Sequence, residues 1–142
     1  MALTFPFEVH TPSHLFFREA VQAVIVTIPD GEIEILSGHH ICTAPVMIGY
    51  LKIKTAGGSW KTAFTSDGII EVTEHKTVLL SEAAEWGNEI DHERALKAKE
   101  TAEDKLKKST QKFEIDNAIS SLKRAEYRLK VWEMNNRSGD NK

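Results

Sequence analysis

The chain has 142 residues, of which 41% are hydrophobic and 27% charged, and its formal net charge is −3. This length fits one domain or a domain with an appendage, the balance excludes disorder as the default, and the negative charge argues against a nucleic-acid binder. No run approaches the roughly 18 apolar residues of a membrane span, and MALTFPFEVH lacks the basic and apolar regions of a signal peptide.

Charge divides the chain. Residues 1–87 carry 5 Lys/Arg and 10 Asp/Glu, a net −5, whereas residues 88–142 carry 13 and 11, a net +2. Such dense mixed charge suits solvated helices with a narrow apolar stripe. A domain boundary is therefore expected near Gly87-Asn88, giving domains 1–87 and 88–142.

The first part reads as strands. LTFPFEV (3–9) alternates around a proline that an edge strand tolerates. AVQAVIVTI (20–28) ends at Pro29-Asp30-Gly31, a turn signal, and EIEIL (32–36) alternates as a half-buried strand. YLKIKT (50–55), with Lys52 and Lys54 outward, leads through the AGGS turn (56–59) into WKTAFT (60–65). Asp67-Gly68 turns into IIEVT (69–73), and TVLLSEA (77–83) follows. At least seven short strands bounded by turn residues, with no helical crossover, predict an antiparallel β-sandwich.

The second part reads as two helices. Asp91 is the expected N-cap of the first, with Ile90 and Ala95 as its hydrophobic staple. Ala95, Ala98, Ala102 and Leu106 give it one apolar face, and Lys105, Lys107 and Lys108 suit its negative end. KKSTQKFEID is the expected break, with Asp116 capping a second helix. The stripe of that helix is Ala118 or Ile119, Leu122, Ala125, Leu129 and Trp132, and NNRSGDNK is expected to fray. The fold class is thus α+β, an N-terminal antiparallel β-sandwich followed by a C-terminal antiparallel α-helical hairpin. An alanine-rich stripe buries little area, so the hairpin is expected to lean on the sandwich or a partner and to be a moving part.

Chemistry-bearing clusters are sparse. Cys42 is the single cysteine, which leaves no intrachain disulfide and points to a reducing compartment. No base and orienter accompany it at any recognisable spacing, so it reads as a small core residue rather than a nucleophile. His39-His40 are adjacent and do not complete a tetrahedral metal set. Neither a catalytic residue nor a metal site is expected.

Four segments carry a resemblance in their order along the chain. They are IPDGEIEILSGHH (28–40), SDGIIEVTEHKTVLLSEAAE (66–85), IDHERALKAKETAE (90–103) and LKRAEYRLKV (122–131). Together they resemble the epsilon subunit family of F-type ATP synthases, called delta in mitochondria, from about Thr4 to Val131. The resemblance implies a non-catalytic central-stalk subunit that couples c-ring rotation to the catalytic head, driven by protons or sodium, and restrains ATP hydrolysis through its hairpin. Its implied partners are the gamma subunit, the c-subunit ring and, through the hairpin, alpha and beta. It implies a peripheral place on the cytoplasmic face of the bacterial plasma membrane, without direct insertion.

By the same resemblance Glu32 faces the c ring, while Gly38 and His39 face gamma. Without it these are polar residues of a solvated hairpin. The family usually continues Gly-His with Ala-Pro-Leu, whereas this chain reads His39-His40-Ile41-Cys42. Some bacterial members bind ATP on the folded-down hairpin, and Glu85, Asp91, Arg94, Arg124 and Arg128 match that set by position. Read alone, Asp91 caps a helix and Arg94 is solvated. Thr101 stands where well-developed sites carry a further arginine, so weak binding of ATP as a regulatory ligand is expected, with no cofactor required. The alternative reading is a free-standing ATP sensor whose hairpin closes on nucleotide.

Overall fold

The computed structural model describes residues 3–138. Nine strands come first: β1 (Phe5–His10), β2 (Leu15–Ile28), β3 (Gly31–Leu36), β4 (Cys42–Val46), β5 (Gly49–Thr55), β6 (Trp60–Thr65), β7 (Gly68–Val72), β8 (Thr77–Ser81) and β9 (Ala84–Trp86). A 3-10 turn over Gly87–Glu89 leads to α1 (His92–Lys108) and α2 (Lys112–Ser138). The fold is the expected β-sandwich followed by a helical hairpin.

The strands hydrogen-bond in the order β4-β7-β8-β1-β2-β5-β6-β9, with β3 also on β2. All pairs are antiparallel except β1 with β8, which run parallel. The long β2 serves both layers, its first half pairing with β1 and its second half with β3 and β5. Between Val21 and Ala23 it bulges, so one extra residue, Gln22, shifts the inward phase. That shift lets Phe17 and Val21 and then Val24 and Val26 all point into the core. The bulged Gln22 is held by its Nε2, which donates to the carbonyl of Ala56 at 3.0 Å.

Fourteen buried residues form the sandwich core, among them Phe7, Val9, Val24, Leu51, Ile53, Ile70 and Leu79. Cys42 is half-buried against this core, in keeping with a packing role. It opens β4, an edge strand where Pro45 costs no ladder hydrogen bond on the free side.

The helices depart from expectation in three places. The break between them is only Ser109–Gln111, and α2 already begins at Lys112, so Asp116 lies inside the helix instead of capping it. On α1, Ala95 and Ala102 are buried but Ala98 is exposed, because residues seven apart repeat on one face more closely than residues three apart. Asn135–Ser138, expected to fray, continue α2, while residues 139–142 of that stretch lie outside the described residues.

A second, smaller core of Ile48, Phe64, Ile90 and Val131 joins the hairpin to the sandwich, with Tyr50, Ala83, Tyr127 and Trp132 packed around it. Gly87 permits the close approach, since a Cβ there would lie 2.6 Å from Cβ of Asn135 on α2. No helix among the described residues is long and apolar enough to cross a membrane.

Candidate functional site

Three local structures converge where the hairpin meets the sandwich. On β9, Glu85 pairs across the ladder with Phe64 of β6, so both side chains share one face of the sheet. Arg128 of α2 docks on that face, its guanidinium carbon 4.4 Å from the Phe64 ring centre. Its Nε donates to Glu85 Oε1 at 2.5 Å. The cation thus stacks on a fully buried ring while its edge pairs with a carboxylate, which uses both faces of arginine chemistry.

The 3-10 turn and the start of α1 supply the rest. Glu89 Oε1 accepts from the Trp86 backbone N–H at 2.9 Å. Asp91 is the N-cap of α1 as expected, its Oδ1 accepting from the Arg94 N–H at 3.1 Å. The exposed Arg94 side chain makes no hydrogen bond or ion pair among the described residues. Glu85, Glu89, Asp91, Arg94, Ala98 and Arg128 line a cleft of about 350 Å³. This falls among small-molecule clefts, which run to roughly 300–1,000 Å³.

Of the five residues matched to a nucleotide site, the fold therefore brings together Glu85, Asp91, Arg94 and Arg128. Arg124, one turn before Arg128, turns aside, and its Nε donates to Ser66 Oγ at 3.5 Å. Glu89 and Phe64 were not singled out from sequence. Glu89 carried a signal, three residues after Trp86 in a turn, but Phe64 needed the β6–β9 register to bring it under Arg128.

The second candidate surface spans the ends of β3. Glu32 lies next to the Pro29-Asp30-Gly31 turn, where Gly31 adopts φ of 127°. Gly38 and His39 lie beyond the other end, roughly 20 Å away along the strand. Gly38 has φ of 86°, a left-handed conformation that lets the His39 N–H return to the Leu36 carbonyl at 3.1 Å. His39 Nδ1 lies 2.9 Å from the carbonyl oxygen of His40, which orients the ring. Glu32 is not free: Tyr50 donates its hydroxyl to Glu32 Oε2 at 2.5 Å. That hydrogen bond, with burial, pushes the Tyr50 phenol up to about 12.

Comparison with known proteins gives one consistent family. Residues 4–87 match the model described as the ATP synthase delta/epsilon chain beta-sandwich domain, and residues 88–133 match the long alpha-helix domain of the same chain. The ATP synthase epsilon chain of Caldicellulosiruptor saccharolyticus is 43% identical over 136 residues, covering 96% of this chain and 98% of its own. That of Caldanaerobacter subterraneus subsp. tengcongensis is 46% identical over 132 residues, covering 92% and 95%. In fold, the chain is similar to one from the Euglena gracilis mitochondrial ATP synthase, with TM-score 0.77, 23% identity, and 87% and 78% of the two chains covered. A central-stalk/c-ring structure from Tetrahymena thermophila gives TM-score 0.65 at 11% identity, covering 92% and 98%.

Proposed function

The chain belongs to the ATP synthase delta/epsilon family and is a non-catalytic subunit of that complex, and from this premise we propose how its two parts divide the work. The sandwich attaches to the gamma subunit around Gly38 and His39 and to the c ring around Glu32, and so carries rotation to the catalytic head. The hairpin restrains hydrolysis by reaching alpha and beta when it leaves the sandwich. The subunit sits on the cytoplasmic face of a bacterial plasma membrane as a peripheral protein.

The observation that carries this reading is the way α2 is seated. Its Val131 is buried with Ile48, Phe64 and Ile90, and its Arg128 adds a half-exposed ion pair with Glu85. Four buried residues make this seat, against fourteen in the sandwich core, so releasing the hairpin costs far less than unfolding the sandwich. The cleft between them supports a nucleotide as the releasing or retaining ligand. Arg94 is an uncommitted cation at its rim, and Arg128 can exchange the Glu85 carboxylate for a phosphate oxygen. ATP then holds both helices to the sandwich and shifts the population towards the docked state. Having to displace Glu85, and having Thr101 in place of a further arginine, makes the affinity weak.

Two experiments test the reading. Pull-down from native membranes with this chain as bait is expected to recover gamma and c subunits; recovery of neither would favour a free-standing ATP sensor. Calorimetric titration of the isolated chain is expected to give binding heat at millimolar ATP. Asp91→Asn keeps a competent cap and therefore helix content, yet should lower that affinity; an unchanged titration would leave Asp91 as a cap alone.

A further inference from the structure

The turn assigned above to the c ring and the helix assigned to hydrolysis control meet at one side chain, Tyr50 of β5. Its hydroxyl donates to Glu32 Oε2 at 2.5 Å. Its ring meets that of Tyr127 on α2 edge-on, with centroids 6.1 Å apart and planes at 64°. Lys130 Nζ lies 5.7 Å from the Tyr50 ring centre and 5.6 Å from that of Tyr127, and Lys52 Nζ lies 5.1 Å from Tyr50. Both tyrosines pack against the small core of Phe64 and Val131 that seats the hairpin.

We propose that Tyr50 is a positioning residue that couples the orientation of Glu32 to the docking of α2: a cationic partner that draws Glu32 away loosens the hairpin, and a released hairpin frees Glu32. A tyrosine is suited to this because hydroxyl and ring move as one rigid body on two torsions. With Tyr127 against it, the ring is fixed and its hydroxyl points at Glu32 at little entropic cost. Without Tyr127 the ring gains freedom, and holding the same hydrogen bond costs side-chain entropy. Withdrawal of Glu32 in turn leaves the hydroxyl seeking water, which turns the ring out of the Tyr127 contact. The coupling is reciprocal, as linkage requires, and the two-state element that both ends bias is the hairpin itself. The raised phenol pKa, caused first by the Glu32 hydrogen bond, gives the contact its own optical signature. The partner end of this coupling rests on the proposed function; the link within the chain does not.

The test is amide hydrogen exchange of the full chain, read by mass spectrometry over Ala125–Val131 of α2. Tyr50→Phe keeps the ring and removes the donor, and Glu32→Gln weakens the acceptor. Each is expected to speed exchange there by roughly two- to tenfold, the range of one hydrogen bond. The double variant should exchange no faster than the quicker single one. In alkaline spectrophotometric titration, the tyrosinate step near 12 should fall towards the ordinary ~10 in Glu32→Gln. Unchanged exchange in both single variants, or additive effects in the double, would overturn the coupling. Arg128→Ala cuts the separate Glu85 tie and serves as the reference. If it speeds exchange where Tyr50→Phe does not, the coupling alone fails. If it also leaves α2 protected, the releasable hairpin of the proposed function fails, and the coupling with it.

Discussion

An added methyl at Gly68 would lie 2.0 Å from the backbone oxygen of Leu80, on the strand that β7 pairs with. Backbone cannot rotate aside as a side chain does. Gly68→Ala should therefore cost about 3 kcal/mol or more, the upper end of overpacking, read as a lower urea midpoint. From sequence, Asp67-Gly68 was legible as a turn, but not the reason for the glycine, which is space rather than a positive φ. Glu8 gives a second case. It sits between Phe7 and Val9 on β1 and is only 8% exposed, yet it is outward-facing and ringed by basic side chains. His10 Nε2 lies 2.8 Å from it, Lys76 Nζ 3.3 Å and Arg18 Nε 3.6 Å. The His10 hydrogen bond first, then Lys76 and Arg18, hold its carboxyl below the usual glutamate range, against the opposing effect of burial. A depressed folded-state pKa means stability that is present above about 4.5 and lost as pH falls through the lower folded value. Glu8→Gln should accordingly flatten the acid limb of the melting-temperature profile below pH ~4.5. A tight spot between two backbones and a cluster of basic side chains drawn from β1, β2 and Lys76 both depend on strand register, which no local pattern discloses.

The second helix carries two faces, and only one was legible. Ala118, Leu122, Ala125, Leu129 and Trp132 recur at helical spacing, and Trp132 stacks on His92 of α1 with ring centres 3.9 Å apart. Tyr127, Arg128 and Val131 form the other face, turned to the sandwich. Val131 is fully buried, but an arginine and a tyrosine beside it dilute the hydropathy signal, so the docking face reads as solvated polar helix. The short strands β4 and β9 escaped notice for a related reason. Five and three residues, one with Pro45, are too few to establish a period of two. The docking face makes a prediction of its own. Arg128→Ala removes a cation–π contact of roughly 0.5–1 kcal/mol and a half-exposed ion pair worth at most about as much once solvent screening is counted. Exchange over α2 should rise roughly fivefold or more, while the amides of β2 and β5 stay protected, because the sandwich core contains neither partner. Arg128→Lys should recover part of this, since ammonium keeps the charge but not the planar stack.

Across the whole molecule, the two parts are joined by a small apolar contact and carry opposite net charge, −5 and +2. Such a junction favours a docked state that binding at either end can tip. It also determines what a fragment ending at Gly87 should do. The core of Phe7, Val24, Leu51, Ile70 and Leu79 draws on β1, β2, β5, β7 and β8, and no residue of it lies beyond residue 87. The fragment should therefore fold, with circular dichroism showing strand retained and helix lost. Losing Ile90 and Val131 uncovers Phe64, Ile48 and Tyr50, which lie together beside the β6–β9 edge. Fully buried apolar side chains contribute about 1.5–3 kcal/mol each, so the fragment should melt below the parent and self-associate through this patch. Sedimentation at increasing concentration should show the association, and Phe64→Thr should suppress it while strand content persists. An unfolded fragment would mean that the hairpin completes the sandwich rather than resting on it, and the proposed release of α2 would then have to be abandoned.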